Sequence, residues 1–279
     1  MHGKIGKGIG NKVIFVFLCI WALVQIFPIY WMFTFSLKDN SEIFGKNMIG
    51  LPHVWRWSNY IDALKVGNIG RYFLNSVFVT VATIMITTIC ALLATYALTR
   101  MEWKGQKLAN SLIMLGLTVP IHAAILPVFI VLKKFHMTNS YWALIIPYAA
   151  FALAMAILIC ESFIEGVPRE LEEAACIDGC GVYGIFVRII IPMMRPCLST
   201  VAIFTFLQAW NELMFAVTFI SDSKFRTLPV GIQTLCGSYT TDWGPIGAAL
   251  VIATFPTLLI YCFMSEKIQE SMAAGAVKG

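Results

Sequence analysis

Charged side chains are scarce in this sequence. Asp, Glu, Lys and Arg together supply 13% of its 279 residues, whereas an ordinary soluble domain holds about 25%. Hydrophobic residues supply 59% of the chain, and the mean hydropathy is +0.78. This composition excludes a disordered chain, which combines high charge with few apolar residues, and it argues against a soluble enzyme.

The patterns that mark common catalytic and metal centres are also missing. The eight cysteines contain no C-x-x-C pair, the four histidines show no H-E-x-x-H spacing, and no nucleophile elbow is present. The glycines of residues 3–10 lack the preceding strand and the G-K-[ST] ending that a nucleotide-binding loop requires. The sequence therefore predicts a chain without an ATPase site, a catalytic centre or a metal site of its own.

Long uncharged runs are what the sequence does contain. About 20 helical residues cross a hydrocarbon core roughly 30 Å thick, and helices suit such runs because backbone groups in lipid must bond to one another. Six runs are long enough, and only the fifth holds a charge, Glu212. We expect an all-α integral membrane protein, one domain over residues 1–279, with spans at residues 13–37, 72–99, 108–132, 138–160, 196–220 and 243–265.

Charge gives only partial guidance on orientation. The short connection after the second span carries Arg100, Lys104 and Lys107, and short loops rich in such residues generally lie in the cytoplasm. Over the whole chain the positive charges divide almost equally between the two sides. The net charge of +5 indicates no nucleic-acid partner, and we expect a basic, apolar chain to meet anionic lipid headgroups instead.

Charge returns in the connection 161–195, between the fourth and fifth spans. Glu172 and Glu173 lie where a helix would begin, and carboxylates are favourable at that positive end of the helix dipole. Gly179 suits a left-handed stop, and a second helical segment begins near Gly181. The pattern predicts two short helices joined by a tight turn, which suits insertion into a groove of another protein. A solvated amphipathic loop is the alternative.

This connection resembles the signature loop of ABC importer permeases, which reads E-A-A, then G, then I-x-L-P. The matching residues are 173–175, 178–179 and 189–192, with Ile191 in place of the usual leucine. Three further segments resemble the carbohydrate-uptake, or maltose-type, branch: residues 210–212, 227–231 and 274–279. On these motifs the chain is identified as an inner-membrane permease subunit with the type I importer fold.

The resemblance implies a division of labour among subunits. In that family two permease subunits form the pathway, two ATPase subunits bind ATP and Mg²⁺, and an extracytoplasmic binding protein delivers the substrate. This chain would then be non-catalytic, hold no cofactor, and have both termini in the cytoplasm. The connection 161–195 would dock into the ATPase, and Gly179 would serve as a hinge. The docking residues implied are Glu172, Glu173, Ala174, Ala175, Asp178 and Gly179; Glu173 could instead only cap its own helix.

Glu212 supports a second hypothesis. A carboxylate at the centre of a span costs about 2.5–3.5 kcal/mol on insertion scales, so it normally faces a cavity or a partner. Gln208 lies four residues earlier, on the same helical face, and Asn211 is adjacent to that face. These three residues could bond to the hydroxyls of a passing sugar in the translocation pathway. The alternative is a structural network between spans or with the sister subunit.

Two other classes of protein fit the sequence less well than the permease subunit does. An ion-coupled secondary transporter, working without an ATPase, would be expected to show internal repeats and several intramembrane carboxylates, whereas the runs contain one carboxylate and no repeat. An intramembrane enzyme would need a catalytic pair, and none is visible. If the chain is a permease subunit, residues 221–242 are expected to contact the binding protein.

Overall fold

The computed structural model describes the backbone of residues 3–236 and 241–276, and the side chains of residues 11–236 and 241–263. Every regular element within these residues is helical. The α-helices are α1 (Gly3–Phe35), α2 (Asn40–Ile43), α3 (Ser58–Lys65), α4 (Ile69–Thr99), α5 (Gln106–Leu115), α6 (Ile125–Lys134), α7 (Trp142–Ile164), α8 (Glu170–Ile177), α9 (Val182–Ile185), α10 (Ile191–Met193), α11 (Arg195–Trp210), α12 (Met214–Phe219), α13 (Leu228–Thr234) and α14 (Trp243–Ala276). Short 3-10 turns lie at Gly116–Thr118, Ile121–Ala124 and Ser223–Phe225, and a π-helical turn lies at Phe186–Ile190.

Four helical segments are long and apolar enough to cross a membrane: Asn11–Phe35, Ile69–Thr99, Trp142–Ile164 and Trp243–Phe263. Two bent helix pairs qualify only when each pair is taken together, so the described residues hold four spans, or up to six. The predicted all-α membrane fold is confirmed. Six spans result if each bent pair crosses the membrane once.

The third predicted span, residues 108–132, is broken near its middle. Its two halves, Gln106–Thr118 and Ile121–Lys134, meet at an angle of 98°. The break falls at Pro120, where Val119 and Pro120 are both extended. Proline has no N–H for the helix ladder and disfavours the helical conformation of the residue before it. A proline inside a helical run predicts a kink, and the structure makes it a near-right-angle break at Pro120.

The fifth predicted span, residues 196–220, was wrong as one continuous helix. Its first part, α11, ends at Trp210, and the separate helix α12 begins at Met214. The polar residues Asn211 and Glu212 separate them. Because the Glu212 carboxylate accepts backbone N–H groups of the following turn, it starts a new helix rather than continuing the old one.

The connection 161–195 has two arms, one on each side of Gly179. The second arm, which begins near Gly181, extends further than expected. Proline usually ends a helix because it has no N–H for the ladder, so Pro192 predicts the end of this segment, but the helical run continues from Val182 to Met193 and then bends by 71° into α11. The π-helical turn Phe186–Ile190 lies directly before Pro192. A proline clashes with the carbonyl four residues earlier, and the wider π turn accommodates this inside a helix.

The described residues group into two compact units, although the sequence predicts one domain over residues 1–279. The first unit comprises the described parts of Met1–Gly70 and Ile232–Phe255, and the second comprises those of Arg71–Gly231 and Pro256–Gly279. The three boundaries fall inside α4, α13 and α14.

In the first unit, Lys38 anchors the loop that follows α1. Its side chain is fully buried, and its ammonium donates to the carbonyls of Asn47 and Gly50 at 2.7 Å and of Met48 at 3.3 Å. Burial lowers the pKa of Lys38, and the nearby charge of Glu42 opposes this shift. A buried cation is costly unless it is hydrogen-bonded, so these carbonyls keep the loop in one conformation.

The start of α14 packs closely against the same region of the first unit. A Cβ atom on Gly247 would lie 2.5 Å from the Phe35 ring and 2.9 Å from Ser36 Cα, and one on Gly244 would lie 2.7 Å from the Lys38 carbonyl. Small residues allow this approach, as they do between membrane helices generally.

In the second unit, α7 lies at the centre of the packing, and α11 packs along it. Near the start of α7, Leu144 and Tyr148 belong to a buried cluster that includes Phe215. Near its end, Ile164 belongs to another cluster, with Met194. The connection 161–195 follows directly from this buried end of α7, so the core of the second unit positions it.

Candidate functional site

Helix α8 ends in a tight turn at Gly179, as the sequence predicts. Gly179 has a φ of +82°, its N–H donates to the Cys176 carbonyl at 3.0 Å, and the Cys180 N–H donates to the Ala175 carbonyl at 2.9 Å. These two bonds form a Schellman motif, which satisfies carbonyls that a helix end leaves unpaired. The two arms of the connection are therefore joined by a defined turn.

The structure separates the six predicted docking residues into two groups. Glu173, Ala174, Asp178 and Gly179 lie on the exposed surface. Ala175 is buried in the cluster near the end of α7, and the Glu172 side chain points inward.

Glu172 pairs with an arginine from the end of α4. Its Oε1 lies 3.1 Å from Arg100 Nε, and the two side chains are 15% and 7% exposed. Glu172 therefore holds α8 against its own chain, which leaves Glu173 as the exposed carboxylate of the E-A-A motif. The part that each of the six residues plays in docking stays a prediction.

Two exposed apolar side chains on this loop were missed by the sequence analysis. Ile177 is 87% exposed and Tyr183 is 88% exposed, and they lie on either side of the Gly179 turn. Their signal in the sequence was weak, because a large apolar residue in an amphipathic segment usually faces the core. The fold instead assigns Ala175 and Ile185 to the core and leaves Ile177 and Tyr183 outside.

Glu212 lies in a network within this chain. Its Oε2 accepts a hydrogen bond from the Tyr148 hydroxyl at 2.6 Å and one from the Ala216 N–H at 3.3 Å, and its Oε1 accepts one from the Phe215 N–H at 2.9 Å. The residue is 9% exposed. These bonds cap the first turn of α12 and tie it to α7, so the contacts favour the structural alternative for Glu212.

The other two predicted pathway residues do not join Glu212 in one stripe, because α11 ends before the stripe is complete. The exposed Asn211 donates to the Leu207 carbonyl at 2.9 Å. Gln208, with Thr205, lies on the wall of a cleft of about 400 Å³ that is otherwise largely apolar, beside Phe151 and Phe204. The involvement of Gln208, Asn211 and Glu212 in translocation stays a prediction.

Asparagine side chains hold the first part of the segment 221–242. Asn139 Oδ1 accepts the Ser221 and Asp222 N–H groups at 2.7 and 2.9 Å. Asn75 Nδ2 donates to the carbonyls of Lys224 and Arg226 at 3.1 and 2.8 Å. Residues 237–240 lie outside the described residues, so the structure covers the predicted binding-protein contact only in part.

The helical membrane fold and the exposed two-armed loop are features of a transport permease. Residues 86–272 match the family described as binding-protein-dependent transport system inner membrane component. The chain belongs to this family. Together with its apolar helices, this makes it a multi-pass membrane protein.

Relatives of known or proposed role agree with this assignment. The chain is 35% identical to the diacetylchitobiose uptake system permease protein NgcG of Streptomyces coelicolor, in an alignment that covers 94% of this chain and 87% of NgcG. It is 31% identical to the trehalose/maltose transport system permease protein MalG of Thermococcus litoralis, covering 93% of this chain and 94% of MalG. The predicted resemblance to carbohydrate-uptake permeases, which are non-catalytic transport subunits, is confirmed.

A solved structure shares the fold. A chain of a bacterial ABC transporter involved in the import of the acidic polysaccharide alginate superposes with a TM-score of 0.82, at 20% sequence identity, over 95% of this chain and 98% of that chain. At this identity the likeness concerns the fold alone, and it confirms the predicted importer permease fold.

The turn at Gly179 gives a first prediction. A Cβ atom at Gly179 or at Gly181 would meet nothing within 4 Å, but only Gly179 has a positive φ. Gly179→Ala should therefore cost about 1–2 kcal/mol of local stability, and Gly181→Ala is the matched control. Hydrogen exchange of residues 170–181 should be about 5–30-fold faster in Gly179→Ala only. Equal exchange in the two variants would contradict the left-handed turn.

The network at Glu212 gives a second prediction. Glu212→Ala leaves one hydroxyl and two N–H donors without their acceptor and should lower the free energy of unfolding by on the order of 3 kcal/mol, measured by thermal unfolding in detergent. Tyr148→Phe should cost less, and Asn211→Ala, at an exposed site, should change little. If Glu212→Ala is as stable as Asn211→Ala and yet reduces transport, the pathway interpretation is supported instead.

Proposed function

We propose that this chain is one permease subunit of an ABC importer for a carbohydrate or polyol-type substrate. It forms the pathway with a second, homologous permease subunit. Two separate ATPase subunits, which bind ATP and Mg²⁺, drive transport, and an extracytoplasmic binding protein delivers the substrate. The observation that carries the proposal is the exposed apolar pair Ile177 and Tyr183 on a two-armed loop that the chain's own core holds in position.

The chemistry of this loop supports a protein partner. Large apolar side chains exposed beside polar groups mark interaction sites, and Glu173 and Asp178 supply exposed carboxylates on the same loop as Ile177 and Tyr183. The Schellman turn limits the ordering that binding requires, and a pre-organised surface binds more tightly for that reason. A loop that served only as a solvated connection would have no need for this arrangement.

The contact between Arg100 and Glu172 supports the orientation. It joins the short basic connection after α4 to the acidic start of α8, so the two connections lie on one side of the membrane. Short basic connections generally lie in the cytoplasm, where an ATPase hydrolyses ATP. Both termini are then cytoplasmic, and segment 221–242 lies on the side of the binding protein.

The substrate class follows from the relatives and the family. The two relatives above are named for uptake of diacetylchitobiose and of trehalose and maltose, and the family is described as binding-protein-dependent. The alternative, an ion-coupled secondary transporter, needs a titratable carboxylate in its pathway. Glu212 is the carboxylate that the sequence offers, and its oxygens are already bonded to Tyr148, Phe215 and Ala216.

Reconstitution tests the proposal. Vesicles are prepared with this chain alone, and with the chain together with its partner permease, ATPase and binding protein. We expect ATP-dependent uptake of at least one radiolabelled sugar from a panel of diacetylchitobiose, trehalose and maltose, in the complete set only. Accumulation of sugar by this chain alone, driven by an ion gradient, would overturn the proposal in favour of the secondary transporter.

The docking surface gives a sharper prediction. Ile177→Asp and Tyr183→Asp should each reduce the ATPase that co-purifies with this chain by about tenfold or more, because a charge replaces an apolar contact at the centre of an interface. Val66→Asp is the matched control, since Val66 is 79% exposed on a connection predicted to face the other side. Co-purification that Ile177→Asp and Tyr183→Asp leave unchanged would show that this pair does not dock.

A further inference from the structure

The structure assigns to Arg100 a positioning role. Its side chain holds the ends of α4 and α7 against the connection 161–195, here called the docking loop, so that the three elements move as one body. This inference rests on the proposed function, because it concerns how the movement of a docked ATPase would reach the spans. Arg100 lies outside every motif that the sequence analysis identified with docking.

The contacts of Arg100 reach three groups on two other elements. Its Nη2 donates to the carbonyls of Ile164 at 2.8 Å and Val167 at 2.6 Å, at the end of α7. Its Nε lies 3.1 Å from Glu172 Oε1, in the first turn of α8. The backbone of Arg100 itself continues α4, because its N–H donates to the Tyr96 carbonyl at 3.0 Å.

Each of these groups has the charge that its position favours. The last carbonyls of α7 carry no partner within their own helix and form the negative end of its dipole, and the guanidinium is bonded at that end. Glu172 lies at the positive end of α8. A guanidinium presents several fixed donors in one plane, whereas a lysine ammonium at this position would be a single point of charge.

A second set of hydrogen bonds is made to the last carbonyls of α4. Arg169, which directly precedes α8, donates from Nη2 to the Thr99 carbonyl at 3.2 Å. The Trp103 indole N–H donates to the Ala97 carbonyl at 2.9 Å, and the Gln106 side-chain amide donates to the Leu98 carbonyl. The final carbonyls of α4 are thus bonded to the docking loop and to the start of α5.

The second arm of the docking loop also contacts α4. The rings of Tyr96 and Phe186 lie 5.1 Å apart between centroids in a tilted arrangement, and Phe186 begins the π-helical turn. Both arms of the loop therefore bear on the same end of α4, about one helical turn apart on that helix.

The consequence concerns how movement is transmitted. The docking loop is joined covalently to α7 before it and to α11 after it, but α4 lies about 70 residues earlier in the chain. Noncovalent contacts alone attach α4 to the loop, and Arg100 contributes the buried charge among them. Removing one partner of a buried ion pair leaves the other charge uncompensated, so the loop could then move without carrying α4.

The test measures whether α4 and the docking loop keep a fixed separation in the assembled transporter in lipid nanodiscs. Spin labels are placed at Glu170→Cys, on α8, and at Leu93→Cys, on the exposed side of α4, after the native exposed cysteines are replaced by serine. Distances are measured by pulsed electron resonance without nucleotide and with ATP plus vanadate. Arg100→Gln is compared with Lys104→Gln, which removes an exposed positive charge from the same connection.

We expect one narrow distance distribution in both nucleotide states for the unmutated chain and for Lys104→Gln. In Arg100→Gln the distribution should shift or broaden with nucleotide. Its ATPase should still co-purify, because the Arg100 side chain is buried within its own chain, and sugar uptake per ATP hydrolysed should fall by about tenfold. Glu172→Gln, which keeps the carbonyl bonds of Arg100, should show the same changes to a smaller extent. If Arg100→Gln does not assemble, the result for Glu172→Gln tests the proposed role of Arg100 in its place.

Two outcomes would overturn the role of Arg100. One is a distance that changes with nucleotide in the unmutated chain, which would mean that α4 and the loop are not one body. The other is normal distances and normal uptake per ATP in Arg100→Gln, or in Glu172→Gln where that variant decides. Absence of any ATPase from the unmutated preparation would instead overturn the proposed function, so the two failures are distinguishable.

Discussion

In a chain this poor in charge, each buried charge must be matched by backbone groups, and the structure depends on three such matches. The Lys38 ammonium is bonded to loop carbonyls, the Arg100 guanidinium to the carbonyls that end α7, and the Glu212 carboxylate to the N–H groups that begin α12. Backbone groups at helix ends lack partners within their own helix, and in apolar surroundings both they and an isolated charge are costly. Each match lowers the cost of the buried charge; the match at Lys38 fixes a loop, and those at Arg100 and Glu212 fix places where helices meet.

The contacts at the two ends of α7 hold different parts of the second unit in place. Glu212 and Tyr148 tie α12 to α7 through one short bond, while Asn75 and Asn139 hold the segment that follows α12. At the other end of α7, Arg100 and Arg169 tie the docking loop to α4. The connection 161–195 thus offers an exposed apolar surface on elements that the rest of the unit holds in place, which suits its proposed role of receiving force from a partner.

The sequence was informative where the signal is local. Uncharged runs gave the helices, Gly179 gave the turn after α8, and Pro120 gave the break in the third run, because length, backbone freedom and a missing N–H act within a few residues. It was misleading where a side chain reaches a distant group. Glu212 was assigned to a continuous helix. The different surroundings of Glu172 and Glu173 were not predicted, because adjacent glutamates in one motif cannot be told apart before Arg100 is known to lie beside one of them.

By itself, the sequence determined that this is a helical membrane protein, which branch of permeases it resembles, and where its docking loop lies, since composition, run length and short motifs are properties of the chain alone. Only the tertiary structure decided that Ile177 and Tyr183 face outward while Ala175 and Ile185 face the core, that Glu212 caps a helix, and that Arg100 joins three elements. Those outcomes depend on which groups, 60 or more residues apart, come within hydrogen-bonding distance. No local pattern specifies that meeting, because it follows from the packing of the helices as a set.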